Sequence, residues 1–180
     1  LTNTCTVAEP DSTGIGMKQL HTITLEGNAK VTGISQFGMV GSSWGQATLN
    51  LNGNTLTKEG SNTFRLYNTR VQSPGLIQVN GGKVITHSGQ GSGTLDLTRA
   101  SIGIDGGEFE LGGNNQSIQE LTLTSGSLTI GSGLTLTALG DVTMSSGTVS
   151  GNLCLSGTIT LTGDGTNTVN LSSAVLSGTS

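Results

Sequence analysis

The densest group of side chains that could do chemistry is acidic and lies near the middle of the chain. It consists of Asp105, Glu108 and Glu110. In a β-strand, successive side chains point to opposite sides, so Glu108 and Glu110 would share one side and Phe109 the other. Two carboxylates on one side can act as general acid and base or bind a hard cation such as Ca²⁺. The solvent-facing side of an ordinary strand gives the same pattern, so none of the three is assigned as a catalytic residue.

A second acidic arrangement would use residues that lie far apart in the sequence. Asp11 begins an Asp-Ser-Thr-Gly segment, and Asp164 begins an Asp-Gly-Thr segment. Aspartic peptidases use two carboxylates that share a proton, commonly in Asp-Thr/Ser-Gly turns, and neither segment has that order. Asp11 and Asp164 could do this chemistry only if the fold brought them together. A disulfide between Cys5 and Cys154 would draw the two regions together, whereas two separate thiols are the simpler expectation.

Other reactive groups are sparse. His21 and His87 are the two histidines, and neither lies in a nucleophile motif. Cys and His lack the spacing of a zinc site, so the sequence predicts no metal site and no cofactor. Exposed aromatic rings can stack on sugar rings, which makes Trp44 and Tyr67 the predicted ligand-binding residues. Large aromatic residues also commonly form the core, and that alternative stays open.

The elements that would position these residues are short β-strands. Triplets of an apolar, a polar and an apolar residue recur along the chain, separated by glycine-containing corners such as Gly112-Gly113. This alternation predicts half-buried strands, and glycine allows the chain to bend sharply between them. From Leu95 onward the triplets are closely spaced. Ile102, Leu121 and Val142 follow one another at nearly equal intervals.

The repeat interval predicts the fold class. Leu134 and Leu153 are separated by almost the same interval, and so are Val149 and Val169. A period of about 20 residues with two or three short strands is typical of one coil of a parallel β-helix, an all-β solenoid in which coils bury their apolar side chains against one another. An antiparallel β-sandwich or jelly roll is the alternative, because short hairpin strands would give the same triplets.

The domain organisation follows from the same pattern. We expect a single β domain over residues 1–180. Within it, residues 1–48 are expected to form an irregular N-terminal cap or insertion, and residues 49–180 the repeat-like region of β-strands.

Charges are few and unevenly distributed. Charged residues make up 10% of the 180 residues, and the net charge is −4. All seven basic residues lie at or before Arg99, and only acidic residues follow it. Such a surface repels phosphate backbones and anionic lipid headgroups, so we expect no nucleic-acid partner. No apolar run reaches the roughly 18 residues that a membrane-spanning helix needs, so we expect no membrane insertion.

Segments that alternate Gly, Thr and Leu recur in the second half of the chain. They are Ser125-Gly-Ser-Leu-Thr-Ile130, Gly133-Leu-Thr-Leu-Thr137, Gly147-Thr-Val-Ser-Gly151 and Ser156-Gly-Thr-Ile-Thr-Leu-Thr-Gly163, and Leu49-Asn-Leu-Asn-Gly-Asn-Thr-Leu-Thr57 is similar. Through these segments, residues 93–178 resemble the autotransporter-associated β-strand repeats of bacterial surface passenger domains. The resemblance implies a right-handed parallel β-helix in a surface-exposed or secreted stalk, often part of an adhesin.

Two functions follow as expectations. The first is a non-catalytic structural or adhesion module, secreted or on the outer surface of a bacterium, that binds a host or matrix glycoprotein or glycan. The second is a secreted hydrolase that degrades mucin-like glycoprotein or glycan with an acid pair, including the aspartic-peptidase option. Whether the chain is an enzyme therefore stays open at this stage. Because uncapped β-edges favour pairing with another chain, we also expect self-association.

Overall fold

The computed structural model describes residues 6–7, 22–32, 35–37, 46–88, 93–162 and 168–178, and all regular structure in these ranges is β. None of the described residues belongs to a helix that could cross a bilayer. The strands are β1 (Thr6–Val7), β2 (Thr22–Thr24), β3 (Ala29–Val31), β4 (Ser35–Phe37), β5 (Ala47–Asn50), β6 (Thr55–Lys58), β7 (Thr63–Tyr67), β8 (Thr69–Ser73), β9 (Gly75–Val79), β10 (Lys83–His87), β11 (Ala100–Leu111), β12 (Gln116–Ile118), β13 (Leu121–Ile130), β14 (Thr135–Ala138), β15 (Val142–Met144), β16 (Gly147–Leu155), β17 (Ile159–Leu161) and β18 (Val169–Gly178).

Within the described ranges, every pair of neighbouring strands is parallel. The strands stack in about six turns, which makes the protein a β-solenoid. The predicted parallel β-helix is thereby confirmed. The alternative of an antiparallel sandwich or jelly roll is wrong, because such folds pair neighbouring strands in opposite directions.

Each turn of the solenoid contributes to three rows of strands. Row A contains β2, β5, β8, β12 and β14, row B contains β1, β3, β6, β9, β15 and β17, and row C contains β4, β7 and β10. Four long strands continue through a corner from one row to the next: β11 and β13 pass from row B to row C, and β16 and β18 pass from row C to row A. Strand β18 pairs with β16 along most of its length. Side chains of each row alternate between the interior of the solenoid and its outer surface.

The core is formed by apolar residues that stack from coil to coil. In row B, five residues in register from β6 to β15 are all buried: Leu56, Ile77, Ile102, Leu121 and Val142. Burying one such side chain contributes roughly 1.5–3 kcal/mol. Row C has an equivalent column that contains Phe64, Val84, Phe109, Leu128 and Val149. The apolar positions of the triplets therefore fix which side of each strand faces inward.

Two of the predicted intervals do not match the register of the structure. Leu153 lies opposite Leu136 rather than Leu134, and Val169 lies opposite Gly147 rather than Val149. Leu134 instead lies in the corner before β14, half-buried against the core. Apolar residues at corners resemble strand residues in the sequence, which is why counting from them gives the wrong partner.

Corner length sets the interval between coils. The register partners Ile77 and Ile102 in row B are much further apart in the sequence than the partners Val142 and Ile159 in the same row. The strands of both pairs nevertheless stack directly. Strands β2 and β3 also stack on β5 and β6, so the solenoid includes residues that precede position 48.

A buried glutamine continues row A between β8 and β12. Asp96 forms an isolated bridge with Arg70 in the preceding coil. In the coil that follows Asp96, Gln116 is only 6% exposed. Its Nε2 donates to the carbonyl of Leu95 at 3.0 Å, and its Oε1 accepts from the N–H of Leu97 at 2.9 Å. This side chain satisfies backbone groups that would otherwise be buried without partners.

Candidate functional site on the outer surface of row C

The outer surface of row C carries Glu108 and Glu110, two of the predicted acidic residues. One column of this surface runs through Thr63, Lys83, Glu108, Ser127 and Thr148, which are register partners in five successive coils. Neighbouring coils of a parallel sheet lie about 4.8 Å apart. Long side chains of adjacent coils can therefore contact one another across the surface.

Glu108 and Glu110 both point outward, and Phe109 between them is buried. The prediction that these carboxylates share one side of a strand is thus confirmed. Lys83 lies against both: its Nζ is 3.3 Å from Oε1 of Glu108 and also contacts Oε2 of Glu110. Thr129, in the next coil, donates its hydroxyl to Oε1 of Glu108 at 3.1 Å.

The electrostatics of Lys83 reflect this position. Partial burial by itself lowers the pKa of Lys83, but the hydrogen bonds from its ammonium to Glu110 and Glu108, together with their negative charge, outweigh that effect. The net pKa of Lys83 is raised above the ordinary lysine value. The ammonium is therefore firmly charged at neutral pH. It occupies the place between the carboxylates where a substrate oxygen or a cation would have to bind.

Sequence reasoning did not identify Lys83 as part of this group. Lys83 and Glu108 are register partners, but their separation in the chain is longer than the repeat interval seen later in the sequence. The opposite charges of Lys83, Glu108 and Glu110 were the available signal. Only the register of β10 against β11 reveals that they meet.

Asp105 is separated from this group by the corner between rows B and C. It is exposed and accepts a hydrogen bond from the hydroxyl of Ser125 at 2.9 Å. Gly106 follows with a φ of 93°, which turns the chain towards row C. Among the described residues, no group of three or more His, Cys, Asp or Glu side chains is placed to hold a metal ion.

An aromatic pair lies at the end of β7 and β10 on the same surface. Tyr67 and His87 are register partners, their ring centroids are 5.6 Å apart, and the ring planes are inclined by 44°. In the next two coils, the positions beside this pair are occupied by glycines. The N–H of Gly112 donates to the carbonyl of Thr86, and the N–H of Gly131 donates to the carbonyl of Leu111. These bonds place Gly112 next to His87 and Gly131 next to Gly112. The two rings thus border steps of the surface that have no side chains.

Other predicted residues fall elsewhere. Cys154 is a half-buried free thiol in row A. The remaining predicted residues lie outside the residues that the structure describes: Cys5, Asp11, His21, Trp44 and Asp164.

Comparisons with known proteins identify no relative. No family model, curated protein or solved structure matches this chain. The likeness to autotransporter-associated repeats therefore stays a prediction from the sequence, and the candidate site has to be judged from its own geometry.

Proposed function

We propose that this chain is a non-catalytic adhesion or structural module, secreted or on the outer surface of a bacterium, that binds the glycan part of a host or matrix glycoprotein. The observation that carries the proposal is the Tyr67–His87 ring pair beside the glycine steps at Gly112 and Gly131. Sugar rings have apolar faces that stack on aromatic side chains. Surface without side chains next to the rings leaves room for the next sugar unit.

The surroundings of the ring pair support the same ligand class. Arg65 points outward on β7 beside Tyr67. Thr129 and Ser150, on later coils, lie in the column of outward residues next to the column of Tyr67. Hydroxyl and guanidinium groups offer the donors and acceptors that sugar hydroxyls require. A rigid parallel stack holds these groups at regular intervals, which limits the entropy lost when an extended glycan binds.

The proposed location agrees with the composition. Thirty glycines, abundant Ser and Thr and few lysines are typical of secreted and surface proteins more than of cytosolic enzymes. The acidic second half of the chain makes nucleic acid an unsuitable partner. The part of the proposal that concerns bacterial adhesins depends on the resemblance to passenger-domain repeats.

The hydrolase alternative has less support. An acid–base pair needs space for a water or substrate oxygen between or beside its carboxylates, and Lys83 lies against both Glu108 and Glu110. If the acid pair is nevertheless catalytic, the protein should cleave mucin-like glycoprotein and Glu108→Gln should abolish cleavage. Absence of turnover in the presence of binding would support the adhesion module.

The test is binding of the purified chain to an array of host-type glycans, followed by calorimetric titration with the best ligands. We expect Tyr67→Ala to weaken binding roughly tenfold, about 1.4 kcal/mol, because the stacking surface is lost. Tyr67→Phe is the matched control, since it keeps the ring and removes only the hydroxyl, and it should retain most of the affinity. Equal affinity for wild type and Tyr67→Ala, or no glycan binding by the wild type, would overturn the proposal.

A further inference from the structure

A second surface feature lies away from row C, at the corner between rows A and B. It is an open groove with a volume of about 330 Å³, at the lower end of the range typical of small-molecule sites. The groove crosses four successive coils, so its length is about 14 Å at about 4.8 Å per coil. Its principal lining residues are Leu76, Arg99, Ser101, Gln119, Glu120 and Thr122.

The groove arises from unequal side chains along one corner. Its first two coils contribute Gly53 and Gly75, and the later coils contribute long polar side chains. A Cβ atom at Gly75 would come within 2.4 Å of the Cβ of Leu51 and 2.6 Å of the carbonyl oxygen of Asn54. Only glycine therefore fits at this position of the corner. Without a side chain, the surface there is recessed relative to the coils that follow.

Arg99 provides an exposed cation in this groove. The described ion pairs engage Lys30, Arg70 and Lys83, but none includes Arg99. Glu120 also lines the groove and is exposed, yet no ion pair within the described ranges joins it to Arg99. The two opposite charges are thus available to a ligand at separate points.

The polar groups around them are fixed by the solenoid. Gln119 donates its Nε2 to the carbonyl of Thr98 at 2.5 Å, which anchors its side chain at the corner and leaves its Oε1 as an acceptor. Ser101 is the register partner of Leu76, and the N–H of Ile102 donates to the carbonyl of Glu120 at 2.9 Å. An apolar group, a hydroxyl and a carboxylate therefore follow one another on consecutive coils.

We propose that this groove binds an acidic oligosaccharide, with Arg99 paired to its carboxylate or sulfate group. A guanidinium binds planar oxyanions through two parallel hydrogen bonds, and Glu120, Ser101 and Thr122 offer partners for sugar hydroxyls. Leu76 offers an apolar contact to the C–H face of a sugar ring. A polyphosphate fits less well, because Glu120 would repel additional negative charge. The proposal rests on the proposed glycan binding for its ligand class, but it concerns a separate site.

The experiment titrates the chain with three oligosaccharide probes that share a backbone: one with a carboxylate, one with a sulfate and one neutral. We expect Arg99→Gln to weaken the acidic probes at least tenfold and to leave the neutral probe nearly unchanged. Glu120→Gln should weaken the neutral probe, and weaken the two acidic probes less, because it also removes the repulsion between Glu120 and their acidic group. Arg70→Gln, on the outer surface of row A, removes the same charge outside the groove and should leave all three affinities unchanged.

The outcomes separate this site from the one at Tyr67. Equal weakening of the acidic probes by Arg99→Gln and Arg70→Gln would indicate attraction to overall charge and would overturn the groove. The groove proposal would also be overturned if neither acidic probe binds, or if Arg99→Gln does not change their affinities. If Tyr67→Ala removes glycan binding and Arg99→Gln does not, the groove proposal would be overturned and the proposed function would be preserved. Preference between carboxylate and sulfate, lost in Arg99→Gln, would support the groove and identify the acidic group.

Discussion

At Lys83, one ammonium group joins two strands through its contacts with Glu108 and Glu110. We expect Lys83→Met to destabilise the protein by about 1–2 kcal/mol, because two partly buried carboxylates lose their charged donor. The effect should depend on pH. Since the folded state raises the pKa of Lys83, its contribution is complete below the ordinary lysine pKa and is lost as pH rises through the folded-state value.

Urea unfolding between neutral pH and strongly alkaline pH would measure this contribution. The stability difference between wild type and Lys83→Met should be largest near pH 7 and should shrink above about pH 10.4, the ordinary lysine value. Arg65→Gln is a control on the same surface and should change stability little. A difference that stays constant over the alkaline range would contradict the electrostatic explanation.

The pKa of Lys58 is shifted in the opposite direction to that of Lys83, so we expect its charge to oppose folding. It lies at an inward position between Val31 and Val79, and only 1% of the residue is exposed. Its Nζ donates to the carbonyls of Glu59 at 2.5 Å and of Gly60 at 3.3 Å. Burial lowers the pKa of Lys58, against a smaller opposing effect of the Glu59 charge.

We expect Lys58→Met to leave stability unchanged or to raise it by about 1 kcal/mol at pH 7, because a buried cation is replaced by an apolar side chain of similar length. A lysine with a lowered pKa penalises folding when it is protonated, so the advantage of methionine should disappear as pH rises past the ordinary lysine pKa. Lys30→Met is the exposed control, with its ion pair to Glu59 at 2.7 Å, and should cost less than about 1 kcal/mol. A loss of several kcal/mol in Lys58→Met would mean that the two carbonyl contacts outweigh the cost of burial.

Individual side chains were predictable only where alternation alone decides their direction. The outward direction of Glu108 and Glu110 and the burial of Phe109 follow from strand geometry and are found in the structure. The inward direction of Lys58 contradicts what its charge suggests. The contact of Lys83 with the two glutamates depends on register between coils, which a charge pattern in one sequence does not contain.

At the scale of elements, glycines determine how closely the corners stack. Gly126 has a φ of 92°, and a Cβ atom there would lie 2.1 Å from the carbonyl oxygen of Gly107 in the preceding coil. Gly147, in the following coil, has a φ of 112°, and its Cβ would lie 2.6 Å from the carbonyl oxygen of Gly126. The corner between rows B and C therefore consists of backbone packed on backbone.

We expect Gly126→Ala to destabilise the solenoid by about 3 kcal/mol or more, because the added methyl group meets a carbonyl that cannot move without breaking the register. Gly133→Ala is the matched control. Gly133 has a φ of 75°, but no atom lies within 4 Å of the position of its Cβ, so only the backbone strain of about 1–2 kcal/mol applies. Thermal unfolding of the two variants would measure the difference, and equal losses would contradict the role of the close approach.

The sequence predicted strands and corners better than it predicted their partners. Triplet alternation identifies the inward residues of β13 and β15, and glycine pairs identify the corners. The intervals from Leu134 and Val149 are wrong because corners differ in length and because Leu134 lies in a corner. The groove at Arg99 and the ring pair at Tyr67 depend on which coils become neighbours, so neither arrangement could be derived from spacing alone.

At the scale of the molecule, the last described coil differs from the interior. Leu161 is 59% exposed and Leu176 is 41% exposed, whereas Met144 and Leu153 in the preceding coil are completely buried. Strands β17 and β18 each pair with one other strand in the described part of the chain. Apolar side chains beside an unpaired strand edge are typical of surfaces that associate.

We therefore expect the chain to self-associate through this end in a concentration-dependent way. The double variant Leu161→Ser and Leu176→Ser should shift the species towards monomer by at least tenfold in dissociation constant, because apolar area is lost from the contact. Sedimentation velocity over a range of concentrations would measure it, with Leu139→Ser as the control, because it removes an exposed leucine from the corner after β14 in the preceding coil. A monomeric wild type, or equal association of both variants, would contradict the expectation.

The parallel hydrogen bonds between coils also determine how the molecule would respond to mechanical load. These bonds run along the axis of the stack, so a force that pulls its two ends apart acts on one terminal coil before it reaches the next. Each coil of about 20 residues would release roughly 70 Å of extended chain and leave the remaining coils folded. A stack built in this way would yield in steps, and a glycan bound to row C as proposed would stay attached while coils beyond its site peel away.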